Sequence, residues 1–311
     1  MLQILTITAP IYLLIAVGYL AVRNGVFAQA DMKLLGRLLV MFALPALVFR
    51  AIAKYPLEQV LNLRYLAIYG GGSVVVFVLG WLFGRRIRGQ GAPGSALTGM
   101  GMSVSNSVFV GYPIIAQVVG PVADISLALC LLVENLLVIP ATLVLADSNE
   151  ALPWHKALAA SLKNLLKNPI FIAILAGFGF SATGLELPAV LDRTLQIGAS
   201  AAGPVALFMI GGVLVGQKLA GVKLDLGAVV LGKLVLHPLA VLLAIWLLPP
   251  LEPALQSAAV LYACMPLPAI YPALAQRYKL DGFCATVLVI ATVVSFVTLN
   301  TWIWGLERFA N

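Results

Sequence analysis

The sequence predicts an all-α membrane protein with ten transmembrane helices. They form two inverted five-helix repeats, with broken, crossing fourth and ninth helices. Three observations predict this fold. The first is apolarity: 62% of the 311 residues are hydrophobic, 10% are charged, and mean hydropathy is +1.04. A soluble domain carries roughly 25% charged residues. The second is duplication. Tyr112-Pro113-Ile114-Ile115-Ala116-Gln117 returns as Tyr271-Pro272-Ala273-Leu274-Ala275-Gln276, 159 positions later. The same offset carries Pro10 onto Pro169, Gly18 onto Gly177, Gly25 onto Gly184, Pro45 onto Pro204 and Phe49 onto Phe208. The third is proline and glycine clustered inside two apolar segments, where a continuous helix cannot hold them.

A span needs about 20 mostly apolar residues. Ten segments qualify, at roughly 4–22, 34–51, 64–84, 95–119, 122–146, 168–186, 195–217, 226–249, 254–277 and 282–305. The first begins almost at Met1, with no positive stretch and no small-residue cleavage pattern before Arg23, so it reads as a retained helix. Segments one to five form the first repeat (1–146) and segments six to ten the second (168–311). Between them, 147–167 reads as a cytoplasmic linker carrying an interfacial helix. With the N-terminus outside, thirteen Lys and Arg fall in inside loops and five in outside loops. That bias predicts both termini outside a bacterial cytoplasmic membrane. An odd number of helices per repeat makes the second copy enter with opposite polarity.

The net charge of +7 arises from short basic clusters between apolar stretches, so the partner surface is membrane lipid and not nucleic acid. Cys130, Cys264 and Cys284 all lie in apolar segments, without metal-ligand spacing or an extracellular pair, so neither a metal nor a cofactor is expected.

Segment four contains Ser105, Asn106 and Ser107, then Phe109, Gly111 and Pro113. Segment nine contains Cys264, Met265, Pro266, Pro268 and Pro272. Unwound backbone at mid-membrane survives only where protein buries it or a wet cavity receives it, and half-helix N-termini direct partial positive charge at an anion. These residues, with Asn135, are the expected substrate-binding set. Deep ionisable residues are few: Glu134 in segment five, and Lys233 and His237 four apart on segment eight. A mid-membrane charge is costly and faces the protein interior. A Glu134–Lys233 pair, or a Glu134/Lys233/His237 proton-linked cluster, is the expected coupling group. A snorkelling Lys233 is the structural alternative. The glycines of segment seven (203, 211, 212, 216) suit either scaffold packing or a dimer face.

Ser105-Asn106-Ser107-Val108-Phe109-Val110-Gly111-Tyr112-Pro113 resembles the S-N-x-x-F-x-G-x-P stretch of the auxin efflux carrier family, which includes plant carriers and bacterial permeases such as malonate transporters. The resemblance covers the whole chain. It implies a ten-helix frame like that of sodium–proton antiporters and bile-acid transporters. It also implies a scaffold of helices 1, 2, 6 and 7 and a mobile transport domain of helices 3–5 and 8–10. A substrate anion would sit where helices four and nine cross, at Asn106, Phe109, Gly111 and Pro113 and at Pro266, Pro268 and Pro272. A homodimer through the scaffold is also implied. The chain departs from the plant carriers in its short central loop, and from internal symmetry in having Cys264-Met265 opposite Ser105-Asn106.

The function expected is secondary active transport of a small organic anion, a mono- or dicarboxylate, by an elevator-type movement driven by a proton gradient or the membrane potential. No Walker motif and no hydrolase signature is present, which argues against a nucleotide-driven pump and against an enzyme. A Na⁺-coupled symporter and an anion channel are the alternatives.

Overall fold

The structure is a computed structural model that describes residues 2–148, 163, 166–216 and 224–310. Among these residues the regular structure is entirely helical. We number the helices α1 (Leu2–Arg23), α2 (Gln29–Ala53), α3 (Leu63–Ile87), α4a (Ala92–Ser103), α4b (Tyr112–Val119), α5 (Val122–Ala146), α6 (Pro169–Ala182), α7 (Ala189–Leu214), α8 (Asp225–Leu247), α9a (Pro253–Cys264), α9b (Ile270–Ala275) and α10 (Asp281–Ala310).

Among the described residues, seven of the ten expected spans are long and apolar enough to cross a membrane: α2, α3, Ala92–Val119, α5, α7, α8 and Asp281–Leu306. Of the other three expected segments, α1 is a 22-residue apolar helix, Leu2–Arg23, and the remaining two are shortened by glycine and proline. At about 1.5 Å per residue, α6 is shorter than a ~30 Å hydrocarbon core. It stops early because Gly184, at φ 67°, leaves the helix in the left-handed region. The ninth is split by prolines, and its second piece has six residues. Most of the expected linker (147–167) lies outside the described residues, as do Lys156, Lys218 and Lys223.

Local chemistry sets the helix starts. The Asp31 carboxylate accepts the Ala28 N–H at 2.8 Å, which begins α2 five residues before its apolar run. Asn62 caps α3 through Tyr65 N at 3.0 Å, and Asn168 caps α6 through Ile170 N at 2.9 Å. Proline explains four wide π turns. Leu39–Ala43, Ser107–Gly111, Glu134–Val138 and Gly232–Leu236 each end two residues before a proline: Pro45, Pro113, Pro140 and Pro238. The extra residue moves the upstream carbonyl away from the proline ring.

Packing pairs α1 with α7 and α2 with α6. Glycine permits both approaches. A Cβ on Gly18 would strike the main chain of Phe208, and one on Gly177 would meet Ile52 and the Phe49 carbonyl. Gly211 lies against the main chain of Ile15 and Tyr19, and Gly212 against Met32. Gly211 and Gly212 of α7 therefore admit α1 and α2 of the same chain, while Gly203 faces Pro113. Elsewhere α3 packs on α4a and α8, α5 on α9a, and α9b on α10.

Candidate functional site

Helix α4 stops at Ser103 because Val104 is extended (φ −97°, ψ 136°), and it resumes in the π turn at Ser107. Helix α9 stops at Cys264 because Met265 is extended (φ −67°, ψ 148°), and Pro266 and Pro268 prevent resumption before Ile270. The two breaks meet. The Asn106 N–H donates to the Pro266 carbonyl at 2.7 Å, a backbone link between positions 160 apart. Asn106 also caps the second half of α4. Its Oδ1 accepts Phe109 N at 3.2 Å and its carbonyl accepts Gly111 N at 2.9 Å.

A buried polar cluster surrounds this junction. One Glu134 carboxylate oxygen accepts from Ser107 Oγ at 2.8 Å, from Ser105 N at 3.1 Å and from the Tyr69 hydroxyl at 3.1 Å. Lys233 Nζ reaches Ser105 Oγ at 2.7 Å, His237 Nδ1 at 2.7 Å and the Ala263 carbonyl at 2.9 Å. His237 Nε2 lies 2.9 Å from Ser73 Oγ. Lys233 and His237 are fully buried and Glu134 is 4% exposed. An ammonium has three protons, and Lys233 has three acceptors for them. That geometry rules out the snorkelling alternative.

The expected cluster is therefore assembled, with one correction. Glu134 and Lys233 do not touch as an ion pair, because Ser105 stands between them and bonds both. The substrate-binding expectations separate by placement. Ser105, Asn106 and Ser107 lie at the break, and Phe109 and Pro113 are half-buried beside it. Gly111 has no room for a side chain, since a Cβ would come within 3.0 Å of the Tyr262 ring and 3.2 Å of Met265. Pro266 is bonded to Asn106, Pro268 accepts Tyr271 N at 3.0 Å, Cys264 and Met265 are buried, and Pro272 is half-buried in α9b. Asn135 is elsewhere. Its side chain donates to the Leu131 carbonyl of its own helix at 2.9 Å, because one residue beyond Glu134 turns about 100° around the axis.

Sequence reasoning missed three contributors: Tyr69, Ser73 and the Ala263 carbonyl. A signal for two of them was present. Tyr65, Tyr69 and Ser73 recur every four residues along α3, a polar stripe on one face of an apolar helix. All three are buried, and the Tyr65 hydroxyl lies 3.1 Å from Cys130 Sγ.

The site as built can hold charge away from water, pass a proton between neighbouring groups and present polar backbone inside an apolar bundle. Comparison with known proteins adds a consistent result. The model of the family described as "Membrane transport protein" matches residues 3–303. A protein of Rhizobium meliloti (strain 1021) named "Putative malonate transporter" is 28% identical over 305 residues, covering 96% of this chain and 95% of that protein. "Uncharacterized transporter YfdV" of Escherichia coli (strain K12) is 24% identical over 243 residues, covering 75% and 76% respectively.

Proposed function

The chain belongs to the membrane transport protein family, that of the auxin efflux carriers, and on that premise we propose that it is a secondary active carrier of small carboxylate anions of the malonate class. It is an integral membrane protein. The observation that carries the reading is the contact of two interrupted helices at Asn106 and Pro266, beside a buried Glu134 and Lys233. Interrupted helices at membrane depth are the usual construction of an ion or substrate site, and the absence of a nucleotide motif leaves a gradient or the membrane potential as the energy source.

In this reading two inverted repeats form the ten-helix frame. Pseudo-symmetric geometry supports it. Gly25 and Gly184, 159 apart, both adopt positive φ, at 76° and 67°, after α1 and α6. Gly18 approaches Phe208 while Gly177 approaches Phe49, so the two contacts exchange partners under the same offset. Sidedness has similar support. Arg50 and Lys54 pair with Asp192, and Arg64 bonds the Pro250 carbonyl at 3.1 Å, all at ends assigned outside by the charge bias. Arg88 pairs with Asp225 and Arg277 with Asp147, all at ends assigned inside.

Movement would be elevator-like, with α1, α2, α6 and α7 as scaffold and α3–α5 with α8–α10 as the moving body. The four ion pairs of the described residues lie within one body or the other: Arg50–Asp192 and Lys54–Asp192 in the scaffold, Arg88–Asp225 and Arg277–Asp147 in the moving body. A boundary free of ion pairs can slide without extracting charge from its partner.

Purified protein in liposomes tests the reading. Saturable uptake of radiolabelled malonate, with counterflow when vesicles are preloaded, is the expected result. Imposing proton, Na⁺ and potassium-diffusion gradients one at a time identifies the driving force. Linear, non-saturating flux without counterflow would establish a channel instead.

A further inference from the structure

Helix ends left bare inside a bundle carry partial charge, negative at a C-terminus and positive at an N-terminus. Two of the four helix ends at the junction already have a resident partner of opposite sign. The last turn of α9a presents the Ala263 carbonyl, and Lys233 Nζ lies 2.9 Å from it. The restart of α4 presents Ser105 N and Ser107 Oγ, and both donate to Glu134. All three lysine protons are used, so His237 Nδ1 accepts and its Nε2 proton faces Ser73 Oγ. Glu134 receives three donors on one oxygen, the pattern of an ionised carboxylate. Ser105 touches both charges, giving its N–H to Glu134 and its Oγ lone pair to Lys233.

We propose that Glu134 and Lys233 are the resident counter-ions of the two broken helices, joined by Ser105 into one neutral unit, and that protonation of Glu134 converts this unit into a cation balanced by one carboxylate charge of the substrate. Resting on the carrier reading above, this assigns symport of one proton with each substrate anion, whose one carboxylate faces the lysine. It also makes Ser105 a positioning residue between the two charges. Charge balance requires the coupling. Glu134 as carboxylate and Lys233 as ammonium sum to zero, so an added anion would leave a net negative charge among buried side chains. A proton taken up on Glu134 leaves the lysine charge for the anion to neutralise. The other ionisable groups facing the unit are Tyr69 and Tyr65 from α3, Cys130 from α5, His237 from α8 and Cys264 from α9a.

The test uses full-length protein and the variants Glu134→Gln, Lys233→Met, the double variant, Ser105→Ala and Ser105→Thr. In detergent at fixed pH, each single charge removal is expected to lower the melting temperature by several degrees, with the double variant losing less than the two combined. Strictly additive losses overturn the neutral unit. In proteoliposomes, malonate uptake by the wild type is expected to rise as external pH falls, by up to ~tenfold per pH unit. Glu134→Gln is expected to flatten that slope. Malonate's own protonation is common to both proteins and cancels in the comparison. Ser105→Ala is expected to flatten the slope and Ser105→Thr to retain it. A Ser105→Ala carrier with the wild-type slope overturns the serine's part. If wild-type vesicles accumulate no malonate, the substrate class is what fails, and the melting cycle still decides the charge unit.

Discussion

At the scale of single residues, the cluster around Glu134 is a set of complete hydrogen-bond accounts. Removing one partner from a buried polar group costs about 1–3 kcal/mol, because the remaining atom has lost its water and its replacement. Tyr69→Phe deletes the hydroxyl that lies 3.1 Å from Glu134 and 3.4 Å from Ser105 Oγ. It is expected to destabilise by about that amount and to slow uptake, read by thermal melting and by vesicle flux. Glycine gives a sharper contrast. Gly211→Ala would drive its methyl into the Ile15 carbonyl and the Tyr19 amide, which are main-chain atoms that cannot swing aside. Overpacking typically costs 1–3 kcal/mol, and a main-chain collision sits at or above the upper end. Gly179→Ala meets nothing within 4 Å, and it is expected to be neutral or to stabilise by up to ~1 kcal/mol from helix propensity. Equal melting temperatures for the two variants would contradict the α1–α7 packing. The deep acid and bases were legible in the sequence because an ionisable residue in an apolar run stands out. Tyr69 and Ser73 were not, since tyrosine and serine in such a run also serve ordinary packing. Only the fold shows that their stripe faces Glu134 and His237.

At the scale of elements, proline controls the shape. Four prolines are each preceded by a π turn, and two of those turns carry the buried charges: Glu134 opens one and Lys233 lies in another. The wide turn re-aims these side chains, which an unbroken helix would point elsewhere. In α9 the prolines act differently, holding Leu267 to Ala269 out of the helix so that the Pro266 carbonyl can receive Asn106. The double variant Pro266→Ala/Pro268→Ala is expected to let α9a continue through the gap, remove the link to Asn106 and abolish uptake while the protein remains folded. Vesicle flux and hydrogen exchange at Asn106 would measure this, and full transport in that variant would contradict the role given to the break. Asn106→Ala should cost about 1 kcal/mol as a lost cap. The positions of both interruptions were readable from residue type. The order in which their backbone groups pair was not, because pairing depends on how two distant segments approach.

At the scale of the whole molecule, the proposed division into two bodies makes a mechanical prediction. Tyr12 of α1 bonds Ser295 of α10 at 3.1 Å, and its ring meets Phe296 edge-on at 4.8 Å, so this contact spans the proposed boundary. Tyr12→Cys/Ser295→Cys, joined by a short thiol cross-linker, is expected to stop transport and to recover on cleavage of a reducible linker. Cys130, Cys264 and Cys284 are buried, so they leave the reagent to the new pair. The control is Arg50→Cys/Asp192→Cys, cross-linked within one body, which is expected to keep transporting. Undiminished flux with α1 tied to α10 would rule out a sliding movement at that contact.

The amino-acid sequence by itself determined the apolar, helical character of this protein, the recurrence of residues at an offset of 159, the sites of both helix breaks and the identity of its deep charged residues. Each of these depends on residue type and spacing along the chain, which a linear reading preserves. Tertiary structure alone decided that α6 is too short to meet the length of a full span, that Asn135 turns away from its neighbour, and that Ser105 separates Glu134 from Lys233. Those outcomes rest on rotation about helix axes and on the approach of helices far apart in sequence. One residue turns a side chain about 100°, and a few ångströms decide whether two charges meet directly or through a hydroxyl.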